Sequence, residues 1–206
     1  MFRAMNRSKQ QLPDADCAAI LKSALRGVLA VNGDDGYPYA LPINHYYCEE
    51  DGKLYFHSGS FGHKIDAMRR DARASFCVLD DGERREGDWA LTFRSVIVFG
   101  RIEIVEEREE IYRIARLLSH KFTQDEDYIE REIRSAGPRT LLFALVPEHI
   151  SGKRVPVGKT ALHRVNAARL HVIYYGSDFI INRIVRNNFR DNRCASIFRA
   201  RTVQIV

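Results

Sequence analysis

Cysteine is scarce and scattered. Cys17, Cys48, Cys77 and Cys194 are the only four in 206 residues, and no two stand in a C-x-x-C spacing. That spacing excludes a zinc knuckle and a dithiol redox pair, and it makes reduced, mostly buried thiols the expectation. Long hydrophobic runs are missing too: nothing approaches the roughly 18 consecutive apolar residues of a membrane-spanning helix. The opening MFRAMNRSKQQ has no apolar core of the kind a secretory signal carries, so the expected compartment is the cytoplasm and no membrane partner is expected. What is present is ordinary: 45% hydrophobic and 29% charged residues describe a globular chain rather than a disordered or collagen-like one.

The net charge of +5 is unevenly distributed. In residues 159–206, Lys159 and eight arginines face only Asp178 and Asp191, an excess of seven positive charges that leaves residues 1–158 at −2. A near-neutral body argues against nucleic acid as its partner. The expected organisation is one domain over 1–158 and a basic C-terminal extension over 159–206, with a boundary near Val155–Lys159. The extension reads as a poorly ordered tail first, and as a docking segment or nucleic-acid-binding arm second.

Along the body, Ile20, Leu21, Ala24 and Leu25 repeat as one helical face after Asp14 or Asp16 as cap, with Gly27 as a left-handed stop. GVLAVN reads as a buried strand, Asp35-Gly36 as a hairpin turn, and YPYALPINHYY as a strand that Pro38 and Pro42 confine to an edge. Asp51-Gly52 turns into KLYFHS, HKIDAMRRD is a short helix, and RASFCVL is a strand. The longest strand candidate is Trp89–Val105, with Ile102 and Ile104 on one face and a bend or bulge at Gly100. Helices near Glu107–Phe122 and Asp125–Ser135 precede a last strand, RTLLFALVP. Strands joined by hairpins, with helices at the edges, predict an antiparallel β-barrel of α+β character.

The segment His57-Ser-Gly-Ser-Phe-Gly-His-Lys64 leaves a strand through two glycines and enters a helix at a histidine and a lysine. Backbone N–H groups at the helix start and the Lys64 charge would suit an anion such as phosphate, although Ile65 stands where a Walker A loop needs Ser or Thr. An inert glycine-rich connection is the competing reading. His45 and His57 lack a third ligand at persuasive spacing, so no metal site is expected. A hydrolytic triad through Ser58 or Ser60 lacks the G-x-S-x-G elbow. Tyr46, Tyr47 and Tyr55 read as packing before ligand stacking, and Trp89 as a structural or interface residue.

GVLAV, DGYPYALPINHYY, LYFHSGSFGHKIDAMRRDARASFCV and FRSVIVFGRIEIVEE, in this order, resemble the pyridoxamine 5′-phosphate oxidase-like flavoproteins, and most of all their 5-nitroimidazole resistance branch. The resemblance covers about Arg26 to Val155. It implies a split β-barrel with peripheral helices, a homodimer, and two flavin mononucleotide (FMN) sites at its interface. By the same resemblance Leu41, Pro42, Ile43 and Asn44 line the flavin ring, and His57 and Ser58 flank it. His63 and Lys64 bind the phosphate, with His63 where many relatives carry arginine. Arg94, Ser95 and Val96 form the later strand that completes the pocket. His57 is the candidate catalytic residue, as proton donor or ligand contact; a plain hydrogen bond at a strand end is the alternative.

The function implied is an FMN-dependent oxidoreductase in which NAD(P)H supplies electrons and a small acceptor, such as a nitro-aromatic compound, receives them. A non-catalytic flavin-binding protein, a haem-binding or haem-degrading split barrel, and a nucleic-acid-binding regulator acting through the tail are the alternatives. Pyridoxamine phosphate oxidation itself is disfavoured, because nothing after Val155 matches that enzyme's substrate-binding C-terminal segment.

Overall fold

The computed structural model describes residues 1–84, 86 and 91–155. Trp89, the expected boundary beyond Val155 and the whole of the basic extension over 159–206 therefore lie outside the described residues. The chain opens with α1 (Asp14–Ser23), whose buried face carries Cys17, Ile20 and Leu21. Pro13 occupies the N-cap, with Asp14 and Asp16 in the first turn where acidic groups suit the helix dipole. The helix ends at Ala24, earlier than the sequence predicts, and Leu25 is exposed. Gly27 is a strand residue and makes no helix stop. A Cβ there would stand 2.4 Å from the Phe76 ring and 2.5 Å from the Cys77 carbonyl, so close strand packing is the reason for glycine.

Eight strands follow: β1 (Arg26–Asn32), β2 (Pro38–Asn44), β3 (Tyr46–Tyr47), β4 (Leu54–Gly59), β5 (Arg73–Leu79), β6 (Glu83–Arg84), β7 (Leu91–Ile104) and β8 (Thr140–Val155). All pairings are antiparallel, in the order β2-β1-β5-β7-β8-β4-β3, with β6 on the side of β7. Pro38 and Pro42 do sit on an edge strand, since β2 pairs only with β1, and Asp35 and Gly36 form the intervening turn with positive φ. Among the described residues β8, with 16 residues, is longer than β7, with 14. It continues past Pro147, which faces Gly100 at the bulge between Phe99 and Gly100. The missing proline N–H is tolerable there because β4 pairs with β8 only as far as Leu145. Gly100 is required by the same close approach, for a Cβ would fall 2.0 Å from the Val146 carbonyl oxygen.

The first and last strands of this order, β2 and β3, are separated in sequence by His45 alone. The chain thus passes directly from one sheet edge to the other, and β2 comes into contact with β4. This curls the sheet into a split barrel of α+β type. Its interior is filled by Leu29, Val31, Phe56, Phe76, Val78, Val96, Val98 and Phe143. Phe56 is the hub, with its ring 5.1 Å from Phe76 edge-on and 5.2 Å from Phe143 in a stack. α2 (His63–Arg70) plugs one side with Ile65, Ala67 and Met68. α3 (Arg108–Ser119) covers the outer face of β4 and β8, where Ile114 packs with Tyr55, Leu142 and Ala144. α4 (Glu126–Ala136) follows, capped by Asp125, which accepts from the Tyr128 N–H at 2.9 Å. Ile102 is buried as predicted, but Ile104 is partly exposed near the end of β7. Cys17 and Cys48 are buried free thiols and Cys77 is half-buried. Among the described residues no helix is long and apolar enough to cross a membrane.

Candidate functional site

The start of α2 is open and uncapped. Gly62 occupies its N-cap with φ 111°, a left-handed value that favours glycine, and no side chain caps the helix. The first bonds back to the cap are Ile65 N–H to the Gly62 carbonyl at 2.8 Å and Asp66 N–H to the same oxygen at 3.1 Å. The N–H groups of His63 and Lys64 are left without backbone partners among the described residues. Added Cβ atoms at Gly59 and Gly62 would meet nothing within 4 Å, so the approach is open. Lys64 is half-buried and makes no ion pair among the described residues, whereas Arg70 at the far end of α2 binds Asp34 at 2.9 Å and the Asn32 carbonyl at 3.1 Å.

His63 is differently placed. Its ring stacks on Tyr39 of β2 at 4.2 Å, and its Nε2 lies 3.4 Å from an Asp34 carboxylate oxygen. An anion at this helix start would therefore compete with Asp34 for His63, while Lys64 has no such competitor. The Tyr39 stack also ties α2 to the strand that carries Leu41, Pro42, Ile43 and Asn44. Along that strand Leu41 and Ile43 turn inward and are half-buried, and Pro42 is exposed. The β3–β4 register pairs Tyr46 with Tyr55. On the other side of His45, β2 touches β4 without ladder hydrogen bonds.

His57 and Ser58 point to opposite faces of β4, as strand alternation requires. The Ser58 Oγ is buried without a partner. His57 pairs in register with Leu142 and faces outward toward α3 and α4. Its imidazole is partly open to solvent, yet the crowding around it lowers its pKa and the nearby Lys64 charge lowers it further. The ring is accordingly neutral at pH 7.

The structure thus brings Leu41–Asn44, His57–Ser58 and His63–Lys64 into one neighbourhood. Arg94, Ser95 and Val96 are elsewhere in the same chain. Arg94 is opposite Arg154 near one end of β8, whereas His57 is opposite Leu142 near the other. The Arg94 guanidinium is held by Asp80 at 2.7 Å, and Val96 is fully buried in the barrel. A pocket completed by these three residues within a single chain is therefore not formed, because the sheet separates them.

Sequence reasoning missed His45 as a structural residue. It is wholly buried, its Nε2 bonds the Leu21 carbonyl at 2.7 Å, and its ring packs edge-on against Phe76 at 4.8 Å. Burial, aided by the charge of Lys121, pulls its pKa down to about 4. Lys121 donates to the carbonyls of Ala24 at 2.7 Å and His45 at 2.9 Å, and burial lowers its pKa to about 8. The signal for His45 was its place between two strands, legible only once their opposite positions in the sheet are known. His45 points into the core and His57 outward, and no cluster of metal-ligating side chains occurs among the described residues.

Several solved structures share this architecture. A conserved hypothetical protein from Mycobacterium tuberculosis is 23% identical, with a TM-score of 0.63 over 84% of this chain and 99% of that one. A candidate 5-nitroimidazole antibiotic resistance protein from Bacteroides thetaiotaomicron is 20% identical, with a TM-score of 0.58 over 70% and 86% of the two chains. A protein from Mesorhizobium loti described as FAD-binding is 25% identical, with a TM-score of 0.54 over 71% and 98%. No curated protein matches the chain. The family model for pyridoxamine 5′-phosphate oxidase matches residues 13–154, from the start of α1 to the end of β8. The matched span holds the whole barrel and all four helices, and the chain belongs to the pyridoxamine 5′-phosphate oxidase family.

Proposed function

We propose that this protein is a cytoplasmic, homodimeric FMN-binding flavoprotein, an NAD(P)H-linked oxidoreductase that reduces a small molecule such as a nitro-aromatic compound. The observation that carries the reading is the uncapped start of α2, with open space at Gly59 and Gly62 and with N–H groups and a Lys64 that have no partner among the described residues. These features fit a phosphate group. The orphaned Ser58 hydroxyl and the unladdered gap between β2 and β4 offer polar and backbone groups for the rest of the cofactor. The description of the Mesorhizobium loti protein as FAD-binding supports the same class of ligand.

Lys64 would hold the phosphate as a point charge, and His63 would share it once released from Asp34. Bound FMN would supply electron transfer between NAD(P)H and the acceptor. His57, neutral at pH 7 and next to Lys64, can hold or deliver a proton at the acceptor side. The separation of Arg94–Ser95 from Lys64 within one chain supports a homodimeric site, in which one FMN would touch Lys64 of one protomer and Arg94–Ser95 of the other. A suitable face exists, because Val28 on β1 and Ile97 and Phe99 on β7, with β5 between those two strands, project outward and remain substantially exposed.

The test is the visible spectrum of the purified protein and the mass of any released chromophore, which separates FMN from FAD and from haem. Lys64→Ala should weaken FMN binding by about 1.5–3 kcal/mol, roughly ten- to a hundredfold, as a charge-assisted contact is lost. Equal flavin occupancy in the variant refutes the clamp.

A further inference from the structure

Between α3, α4 and the outer face of β4 and β8 lies a cleft of about 170 Å³. Its walls are largely apolar: Ile111, Ala115 and Leu118 come from one face of α3, Ile133 and Ala136 from α4, and Leu142 from β8. An apolar cavity of about 150 Å³ accepts a benzene ring, so this one has room for a single ring with a small substituent.

The polar groups at its edge are mostly acceptors. The Ser119 hydroxyl donates its proton to the Ala115 carbonyl at 2.8 Å, and the Thr140 hydroxyl donates to the Ala136 carbonyl at 2.9 Å. Both retain only lone pairs for a ligand. Glu132 adds carboxylate oxygens on the α4 side, and His57 lines the β4 side. A charged ligand of either sign is poorly served. An anion would face Glu132, a cation would come toward Lys64 beside His57, and the apolar walls would desolvate both.

We propose that this cleft binds a neutral, single-ring aromatic molecule bearing one O–H or N–H donor, with the ring between α3 and α4 and the donor directed to His57. The neutral state of His57 at pH 7 suits this role, since an uncharged imidazole keeps one nitrogen as an acceptor. The inference shares His57 with the flavin reading but is argued from the lining of the cleft rather than from bound FMN.

The probe is 4-fluorophenol, titrated into the full-length protein as purified and followed by fluorine NMR, with fluorobenzene as the donor-free control. Saturable binding is expected, with 4-fluorophenol at least several-fold tighter than fluorobenzene. Ala136→Phe and, separately, Ala115→Phe fill the cleft and should weaken both probes tenfold or more, with folding checked by circular dichroism. His57→Ala should remove the preference for 4-fluorophenol while leaving fluorobenzene unchanged. Ring-to-methyl Overhauser contacts with Ile111, Leu118 and Ile133 in the unmutated protein locate the ring independently of any variant. Absence of saturable binding, full affinity in a folded cleft-filling variant, or contacts to other methyls would overturn the site. Equal affinity for the two probes would overturn the donor requirement. Lys64→Ala separates this inference from the flavin reading: it should lose FMN and keep the ring. Failure of ring binding in flavin-loaded protein would sink the cleft alone.

Discussion

His45 makes acid a specific perturbation of this barrel. It is the single residue joining β2 to β3, wholly buried, with Nε2 donating to the Leu21 carbonyl and its ring against Phe76. In the unfolded chain its ordinary value is 6.5, and in the folded chain burial holds it at about 4. Between those values the unfolded chain binds a proton that the native state refuses, so native stability falls as pH falls. At about 1.4 kcal/mol for each tenfold change in proton affinity, the full loss is roughly 3 kcal/mol, spread from pH 6.5 down to about 4. Asp51, Asp71, Asp80 and Glu110 are all held below their ordinary carboxylate values, so their contribution is lost at lower pH than most of the histidine window. Urea unfolding followed by circular dichroism at pH 7, 6, 5 and 4.5 measures the slope. His45→Gln keeps a donor for Leu21 but cannot take up a proton. It should be less stable at pH 7 and should lose the His45 share of the dependence between pH 6.5 and 4.5, while His57, also lowered by burial, keeps its own share. A wild-type stability that is level across that interval, or a His45 ring that titrates near 6.5 by NMR, refutes the reasoning.

Gly100→Ala should destabilise by more than about 2 kcal/mol, since the added Cβ overlaps backbone at Val146 and no side chain can move aside; chemical denaturation checks it. Phe56→Ala, at the centre of the stack with Phe76 and Phe143, should cost about 3–5 kcal/mol by the same assay. Ile97→Asp should place a charge on the outward apolar face and convert dimer to monomer in sedimentation velocity, and flavin should be released with it. A flavin-loaded Ile97→Asp monomer would contradict the shared site. His57→Ala should leave FMN occupancy intact and lower turnover with NAD(P)H and a nitro-aromatic acceptor, and loss of flavin instead would reassign His57 to cofactor binding.

Local chemistry made much of this protein legible before its structure. Asp35-Gly36 and Asp51-Gly52 announce turns because few other residues tolerate positive φ, and Pro38 and Pro42 announce an edge because they lack a donor. HSGSFGHK announces an open helix start for a similar reason, since glycine at its N-cap leaves the first N–H groups free. The four family segments together carried the split barrel. Errors arose where a residue's role depends on a distant neighbour. Gly27 resembles a helix stop but is demanded by Phe76 and Cys77, nearly fifty residues away on β5. Arg94–Val96 are no such error: the expected site lies between two protomers, and a single chain that ties Arg94 to Asp80, away from Lys64, does not contradict it.

The sequence by itself determined most of the elements, the family segments and the open, glycine-capped helix start within residues 57–64, because turn geometry, donor loss and helix-end polarity act within a few residues. Only the tertiary structure decided that His45 bridges the two edges of the sheet and that Asp34 and Tyr39 hold His63 while Lys64 stays free. It also decided that His57 faces a cleft walled by α3 and α4. Those facts depend on which strands become neighbours when the sheet curls, and strand order is set by burial of the whole core rather than by any local run of residues.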